Sequence, residues 1–298
     1  MRLSSAALVA SILVAPAALW VAANALVAWG ATHPLQQARI LGAAPVHRRT
    51  PADLRLSYMT VTYAARRDAW WIPAPVSTGS VVLIHGYDVV SDPRSADPAP
   101  MLELAAAFNA WGYNSLVIDL GYSTGEHLYS GGPLEAQDIA AAVHWLKERN
   151  TRQPVALWGF SDGGHSALLA AAGGAPVAAV VADSAFADAG GVIRGQGAAF
   201  LHFPKALLSA SPMMMRMFSG EDPANLSTIL ASHRLLQPTL LIQGTGDRSI
   251  APDNLHVLAA LTGGQWVAFA GAGHVASFRS EPSRYLRLAH EFLAVHLK

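Results

Sequence analysis

The chain of 298 residues contains no cysteine, and this absence excludes several kinds of site at once. Without a thiol there is no disulfide, no thiolate metal site and no cysteine nucleophile. Charged residues are also scarce, at 13% of the chain, and their formal charges cancel at pH 7. Because lysine and arginine occur only singly or in short pairs, nothing in the composition indicates that nucleic acid is a partner.

Motifs for metals and cofactors are missing as well. No group of histidine and acidic residues has the spacing of metal ligands. No phosphate-binding loop or dinucleotide fingerprint precedes a predicted helix. The sequence therefore predicts neither a bound metal nor a cofactor.

One long apolar run is present at the N-terminus. No charged residue occurs from Ala6 to Ala31, and as a helix this stretch would be about 39 Å long, more than the roughly 30 Å hydrocarbon core of a bilayer. We expect residues 1–31 to be a membrane anchor and 32–53 a linker. A signal peptide cleaved near Ala22–Ala23 and a buried soluble helix are the alternatives.

The charges that flank the run conflict about orientation. Arg2 favours a cytoplasmic N-terminus, whereas Arg39, Arg48 and Arg49 favour the opposite arrangement. We expect a single-pass protein whose folded domain lies outside the cytoplasm, or a secreted or periplasmic protein if the run is cleaved.

Beyond the linker, residues 54–298 read as one α/β domain. Strand and helix patterns alternate after a first hairpin, which predicts a mostly parallel sheet flanked by helices. The predicted hairpin comprises Leu54–Tyr63 and Ala69–Ile72. The other predicted strands are Val81–Ile84, Ser115–Ile118, Val155–Trp158, Val177–Ala182, Thr239–Gln243 and Trp266–Phe269, and the predicted helices are Met101–Trp111, Leu134–Arg149, Ser166–Gly173, Asn254–Leu261 and Pro282–His296.

The most informative motif is Gly159-Phe160-Ser161-Asp162-Gly163-Gly164. An apolar run ending at Trp158 precedes it and an Ala/Leu-rich stretch follows it. This setting predicts a strand, a tight turn and a helix, with the Ser161 hydroxyl exposed at the turn above the helix N-terminus. The flanking glycines allow neighbouring backbone to approach without a Cβ clash.

An acid and a histidine follow in the order that this motif predicts. Asp247 comes directly after the strand-like Thr239–Gln243, and His274 comes just after Trp266–Phe269. Since sites form where parallel strands end, we expect Ser161 as nucleophile, His274 as its base and Asp247 as the acid that orients the imidazole. Two other residues compete for the role of the acid: Asp183, after the strand-like Val177–Ala182, and Asp253, at a helix start.

These residues resemble the motifs of the α/β-hydrolase fold. Within that fold the chain is similar to serine esterases, lysophospholipase-like proteins and the membrane-anchored BEM46/ABHD13-like group, over roughly Leu54 to Lys298. Besides the serine, acid and histidine motifs, the resemblance rests on the following segments: His85-Gly86-Tyr87, Asp119 through Ser123, Gly125, Glu135 and Asp138.

The resemblance implies an oxyanion hole built from the backbone N–H groups of Tyr87 and Asp162. A carboxylate directly after the nucleophile departs from the family pattern, in which a small or apolar residue is common there. Asp162 would either point away from the developing oxyanion or bind a polar group of the substrate.

Residues 188–236 are too many for a simple connection, and in this fold such an insertion is usually a small helical cap. Its apolar side chains Phe203, Met213, Met214 and Met217 are expected to form a flexible wall for acyl chains. The alternative is that they only bury the cap on the main domain.

The expected activity is hydrolysis of a carboxylic ester through an acyl-enzyme, with a small-molecule or lipid ester as the substrate and the membrane as the other partner. A peptidase or amidase could use the same triad, and a non-catalytic binding protein could keep the same fold. Epoxide hydrolases and dehalogenases of this fold carry a carboxylate where Ser161 stands, which disfavours both. The sequence gives no indication of oligomeric state.

Overall fold

A twisted sheet of eight strands is the centre of the computed structural model, which describes residues 5–40, 49–65, 67–87, 94, 99–232 and 235–298, the first nine of these as backbone only. The strands are β1 Met59–Ala64, β2 Arg67–Ile72, β3 Gly79–Ile84, β4 Tyr113–Ile118, β5 Val155–Phe160, β6 Ala179–Asp183, β7 Thr239–Gly244 and β8 Gln265–Phe269.

The strand order is β1-β2-β4-β3-β5-β6-β7-β8. The β1–β2 hairpin is antiparallel, and β2 also pairs antiparallel with β4. All pairings from β4 through β8 are parallel, so those strands end at one edge of the sheet. The mostly parallel sheet predicted from the alternating pattern is confirmed.

Helices connect the strands and cover both faces of the sheet. In the described part of the chain they are α1 Ser5–Thr32, α2 Pro34–Ile40, α3 Met101–Ala110, α4 Gly121–Thr124, α5 Pro133–Arg149, α6 Asp162–Ala172, α7 Ala189–Leu201, α8 Ser211–Ser219, α9 Leu226–Ser232, α10 Asn254–Thr262, α11 Ser277–Ser280 and α12 Pro282–His296. Short 3₁₀ turns occur at Pro51–Leu54 and Lys205–Leu208.

The central strands are apolar throughout because the sheet has a core on each face. In β3, Val82 and Ile84 belong to one core, and Val81 and Leu83 belong to the other. Successive side chains of a strand point to opposite faces, so a strand covered on both sides shows a continuous apolar run instead of alternation. This is why the parallel strands could be located from sequence.

Two predicted boundaries are wrong. The first strand does not begin at Leu54, which lies in a 3₁₀ turn; Arg55 follows with φ of 58°, a left-handed conformation that reverses the chain before β1. The helix after Ser161 begins at Asp162 and not at Ser166. Gly163 and Gly164, which the sequence pattern placed in the turn, lie in the first turn of that helix.

The insertion predicted to be a cap is largely helical, with α7, α8 and α9 lying between β6 and β7. Helix α1 packs along α8 and also contacts α7. Its segment Val14–Thr32 has the length and composition to cross a membrane, a test that signal sequences also pass. The division at residue 31 and the linker 32–53 stay predictions; α2 falls within that linker, and residues 41–48 lie outside the described residues.

Candidate active site

Ser161 occupies a strained turn between β5 and α6. Its φ and ψ are 52° and −116°, a conformation that non-glycine residues rarely adopt and that costs of order 1–3 kcal/mol. The turn is held by its N–H, which donates to the Asp183 carbonyl at 2.7 Å. A Cβ on Gly163 would lie 2.2 Å from the His85 carbonyl oxygen, so glycine is required for α6 to approach the end of β3.

The structure brings Ser161, His274 and Asp247 into one hydrogen-bonded row. His274 Nε2 lies 2.9 Å from Ser161 Oγ, and His274 Nδ1 lies 2.7 Å from Asp247 Oδ2. The three residues follow β5, β8 and β7, at the shared edge where the parallel strands end. The next residue, Val275, donates its N–H to Ser184 Oγ at 3.0 Å, which fixes the loop that carries the histidine.

Asp247 is held as a carboxylate by its partners. Burial alone would raise its pKa, but the hydrogen bond from His274 and the N–H groups of Ile250 and Ser249 hold the pKa below its usual value. The oxygen that faces His274, Oδ2, also accepts from Gln243 Nε2 at 2.8 Å. An acid fixed in this way can orient the imidazole and stabilise its protonated form.

The competing acids lie elsewhere. Asp183 is at the end of β6, but its carboxylate accepts hydrogen bonds from Tyr285 Oη at 2.8 Å and from Ser184 Oγ at 2.9 Å and not from His274. Burial raises the pKa of Asp183 to about 6. Asp253 is exposed immediately before α10. Neither side chain is placed to orient the histidine.

The two residues expected to form the oxyanion hole border Ser161. Asp162 is the first residue of α6, where the opening N–H groups of a helix have no intrahelical partner. The loop after β3 also reaches the serine, since a Cβ on Gly86 would lie 3.2 Å from Ser161 Cβ, and Tyr87 comes next. Asp162 and the loop that carries Tyr87 therefore adjoin Ser161, and their role as oxyanion donors stays a prediction.

The Asp162 side chain is buried among three tyrosines. Tyr129 Oη donates to Asp162 Oδ1 at 2.6 Å, while Oδ2 has no hydrogen-bond partner among the described residues. Burial and then the nearby Glu135 raise the pKa of Asp162 to about 7, although the Tyr129 hydrogen bond opposes the shift. The Asp162 carboxyl therefore holds its proton to higher pH than an exposed aspartate does.

Sequence and structure comparisons identify the family and the fold of the chain. The sequence profile of the alpha/beta hydrolase family matches residues 81–288, well over half of the chain. The chain belongs to the alpha/beta hydrolase family. No curated protein matches this alpha/beta hydrolase in sequence.

Several solved structures share the hydrolase fold. An esterase from Pyrococcus furiosus has 24% identity and a TM-score of 0.67, covering 86% of this chain and 98% of its own. An alpha/beta hydrolase from a Penicillium species has 19% identity and a TM-score of 0.60, with coverage of 81% and 99%. A thermophilic esterase from Thermogutta terrifontis with butyrate bound has 16% identity and a TM-score of 0.59, with coverage of 80% and 93%. At these identities the likeness establishes the fold.

A cavity of about 320 Å³ opens at Ser161 and Asp162 in this alpha/beta hydrolase. Its walls are mostly apolar. One side comes from α1 and α2, with Trp29 and Ala31 among the lining residues, and the other from α7, with Ile193 and Phe200. Such a cavity suits an apolar group attached to the atom that the serine attacks.

The four predicted pocket residues do not line this cavity, and the expected wall is therefore wrong. Met213 and Met217 are exposed on α8, with 62% and 79% of their surface accessible. Met214 and Phe203 are partly buried against the core beneath the cap. The reason is that α1 packs along α8 and takes the place beside the cavity.

The other motif residues brace the site by hydrogen bonds. His85 Nε2 accepts from the Leu120 N–H at 3.2 Å, and Asp138 accepts from the Gly121 N–H at 2.7 Å. Glu135 accepts from the Ser130 and Gly132 N–H groups and so holds the loop before α5. Among the described residues, no three histidine or acidic side chains are grouped to hold a metal ion.

Sequence reasoning missed Tyr129 and the residues of α1 that line the cavity. Tyr129 lies in a loop without any motif, so nothing marked it. Asn24 was a usable signal, since it is an amide within an otherwise apolar helix, and in the structure it is fully buried. A polar side chain in such a run indicates a partner within the protein.

Proposed function

We propose that this protein is a serine hydrolase that cleaves a carboxylic ester through an acyl-enzyme. The observation that carries the proposal is the row of hydrogen bonds from Ser161 through His274 to Asp247, located at the mouth of an apolar cavity. A serine hydroxyl is nearly inert until a base lies within hydrogen-bond reach, and His274 lies within that reach.

In the first half-reaction, Ser161 Oγ attacks the ester carbonyl carbon while its proton passes to His274 Nε2. The carbonyl oxygen becomes an oxyanion that accepts from the N–H groups of Asp162 and Tyr87. When the tetrahedral intermediate collapses, the C–O bond to the alcohol breaks and His274 returns the proton to the leaving alkoxide. Asp247 stabilises the imidazolium in between.

In the second half-reaction a water replaces the alcohol. His274 takes a proton from the water as its oxygen attacks the acyl carbon, and the second oxyanion accepts hydrogen bonds from the same N–H groups. Collapse releases the carboxylic acid and returns the proton to Ser161 Oγ. The cycle consumes one ester and one water and needs no other reactant.

The cavity favours an ester with an apolar acyl group over a peptide. Apart from Asp162 and two tyrosines, the described residues that line it carry no ionisable side chain, so no basic group is present to bind a peptide carboxylate. The esterases of Pyrococcus furiosus and Thermogutta terrifontis have the same fold, and the second holds butyrate. These likenesses support an ester as the substrate here.

The apolar α1 supports a further part of the proposal, a single-pass membrane protein with its catalytic domain outside the cytoplasm. Exposed apolar side chains on the described part of the helix, such as Val14 and Leu19, are suited to contact with lipid. An anchor of this kind would place the cavity close to apolar esters in or near a bilayer.

Labelling by a fluorescent fluorophosphonate tests the proposal, because only an activated serine reacts fast. We expect the full-length protein to be labelled and Ser161→Ala to lose both labelling and ester turnover, the latter on the order of a thousandfold or more. Ser166→Ala is the matched control, since this buried serine is near Ser161, in helix α6, and its hydroxyl has no hydrogen-bond partner among the described residues. Undiminished turnover in Ser161→Ala would refute the assignment.

A further inference from the structure

The last turns of helix α1 are held against the cap by hydrogen bonds. Asn24 Nδ2 donates to the Leu207 carbonyl at 2.9 Å, and the Ala210 N–H donates to Asn24 Oδ1 at 3.0 Å. Asn24 is fully buried, and Val27 and Ala28 are buried beyond it. A buried amide with both ends paired to another element fixes the helix in one register against that element.

The approach of α1 to α7 is close because of a glycine. A Cβ on Gly197 would lie 2.6 Å from Val27 Cγ1 and 3.3 Å from Val27 Cβ. Any larger residue would push the two helices apart, and small residues at helix contacts have this function in general. Val27 thus lies directly against α7.

The end of α1 is also joined to the loop beside the nucleophile. Tyr87 Oη donates to the Ala31 carbonyl at 3.1 Å, and the Tyr129 N–H donates to the Thr32 carbonyl at 3.2 Å. The last carbonyls of a helix have no intrahelical donor, so these two contacts satisfy groups that would otherwise remain unpaired. Tyr87 is the residue whose own N–H is proposed to bind the oxyanion.

From these contacts we infer that residues 24–32 of α1 are one wall of an acyl-binding channel, with α7 as the opposite wall and Ser161 at its end. The ligand is the aliphatic acyl chain of an ester. The inference rests on the proposed esterase activity and adds that the apolar N-terminal helix is part of the substrate site and not an anchor alone. Its residues Val27, Gly30 and Ala31 lie on the cavity.

The length of α1 allows both roles at once. Residues 5–23 precede Asn24, whose side chain is hydrogen-bonded to the cap. As a helix they would be about 28 Å long, close to the thickness of a bilayer core of roughly 30 Å. Asn24–Thr32 remains for the cavity. The channel would then begin where the helix leaves the bilayer.

A disulfide tests the docking of α1 without any reference to activity. The natural chain has no cysteine, so Val27→Cys with Gly197→Cys introduces the only two thiols. Their Cβ separation of 3.3 Å is near the value of about 3.8 Å found in disulfides. In full-length protein in membranes, mild oxidation should remove both thiols from alkylation, as read by intact mass. Leu19→Cys with Gly197→Cys is the control and should stay reduced, because Leu19 is exposed and lies about 12 Å along the helix from Val27.

A chain-length series tests the wall itself. Gly30 lines the cavity, and a Cβ there has only Gln37 Nε2 near it, at 3.8 Å, so a side chain fits without a clash. In Gly30→Leu we expect kcat/KM for nitrophenyl octanoate and decanoate to fall by about tenfold or more while that for the acetate is retained. Leu19→Phe adds similar bulk on an exposed part of α1 and should leave the series unchanged.

The outcomes separate this inference from the proposed function. If wild-type Ser161 is not labelled and no ester is cleaved, the proposed function fails whatever the disulfide shows. Labelling and hydrolysis could be normal while the cysteines introduced at positions 27 and 197 stay reduced, or while Gly30→Leu keeps the wild-type chain-length series. Either result would mean that α1 is not the wall. Supplying the decanoyl ester in phosphatidylcholine vesicles or free in solution then shows which source of ester the channel uses, by the faster rate.

Discussion

At the scale of single residues, the site depends on which of two buried acids faces the histidine. Asp183 ends the parallel strand β6, Asp247 follows the parallel strand β7, and both are buried, so position along the chain does not distinguish them. Their hydrogen bonds do: Asp247 accepts from His274, whereas Asp183 accepts from Tyr285 and Ser184. The same edge of the sheet therefore holds one acid bonded to the histidine, which we propose as the catalytic acid, and one bonded to Tyr285 and Ser184.

Exchange of each acid for its amide should show this difference. Asp247→Asn keeps the shape but lets the imidazole adopt the wrong tautomer, so we expect kcat to fall by about a thousandfold to ten-thousandfold. Asp183→Asn is the matched control, and it should retain most of the activity because its amide can still accept from Tyr285. Steady-state kinetics on a short nitrophenyl ester measures both. Equal losses in the two variants would contradict the assignment of the acid.

Asp162 provides a second test at this scale, through the dependence of stability on pH. Its pKa is about 7 in the folded protein, where burial is the main cause, and near 3.8 ordinarily. Between those values the folded state holds a proton that the unfolded state has lost. The contribution of this group to stability is therefore full at low pH and declines as the pH rises from about 4 to 7.

Asp162→Asn cannot titrate and should lack that decline. Measured by thermal unfolding at pH values below and above this window, wild type should lose more Tm on going to alkaline pH than the variant does. Tyr129→Phe removes the hydrogen bond that lowers the pKa of Asp162, so its decline should extend to higher pH. Parallel pH profiles for wild type and Asp162→Asn would show that the carboxyl does not hold its proton in the folded state.

At the scale of elements, the turn before α6 is set by steric contact. Gly163 brings the first turn of the helix against the end of β3, where its Cβ would lie 2.2 Å from the His85 carbonyl oxygen and 2.7 Å from that of Ile84. Those atoms belong to backbone that cannot rotate away. The distance between the nucleophile and the loop of Tyr87 thus depends on the absence of one methyl group.

Gly163→Ala should therefore separate the loop from Ser161. We expect a loss of about 1–3 kcal/mol in the free energy of unfolding, as in other overpacked sites, together with reduced kcat. Gly173→Ala on the same helix is the control: its φ of −73° suits any residue, and the nearest atom to its Cβ is 3.3 Å away. Chemical denaturation and ester kinetics distinguish the two, and a Gly163→Ala protein as stable and active as the Gly173→Ala protein would contradict this account.

Local patterns were enough to locate the elements and the hydrogen-bonded row, but not the cavity. Strands β3 to β7 were visible because burial on both faces makes their sequences continuously apolar. Ser161 and Asp247 were visible because each follows such a strand, and His274 because it follows the apolar but partly exposed β8. The cavity depends on contacts between residues far apart in sequence, such as Val27 with Gly197. The sequences of α1 and α7 each show only that one face is apolar, and they do not show which other helix that face contacts.

At the scale of the whole molecule, Asn24 connects the N-terminal helix α1 to the rest of the domain. The amide joins α1 to the segment before α8, and through α1 it joins the cap to the loop that borders Ser161. If α1 were an anchor that only held the domain near a membrane, a change at Asn24 would leave the domain unaffected. If it completes the site, the same change should affect both stability and catalysis.

Asn24→Leu distinguishes these cases. The substitution removes the partner of the Ala210 N–H and of the Leu207 carbonyl, both only partly buried, so we expect a cost at the lower end of the roughly 1–3 kcal/mol for a buried unpaired group. We expect a lower Tm of the detergent-solubilised protein and a larger loss of kcat/KM for octanoyl than for acetyl esters, because the channel wall loosens while the serine, histidine and acid stay in place. Val21→Leu, on an exposed part of the same helix, should match wild type in both measurements. A lower Tm without any change in the ratio of octanoyl to acetyl rates would mean that the hydrogen bonds of Asn24 stabilise the cap but that α1 does not shape the substrate site.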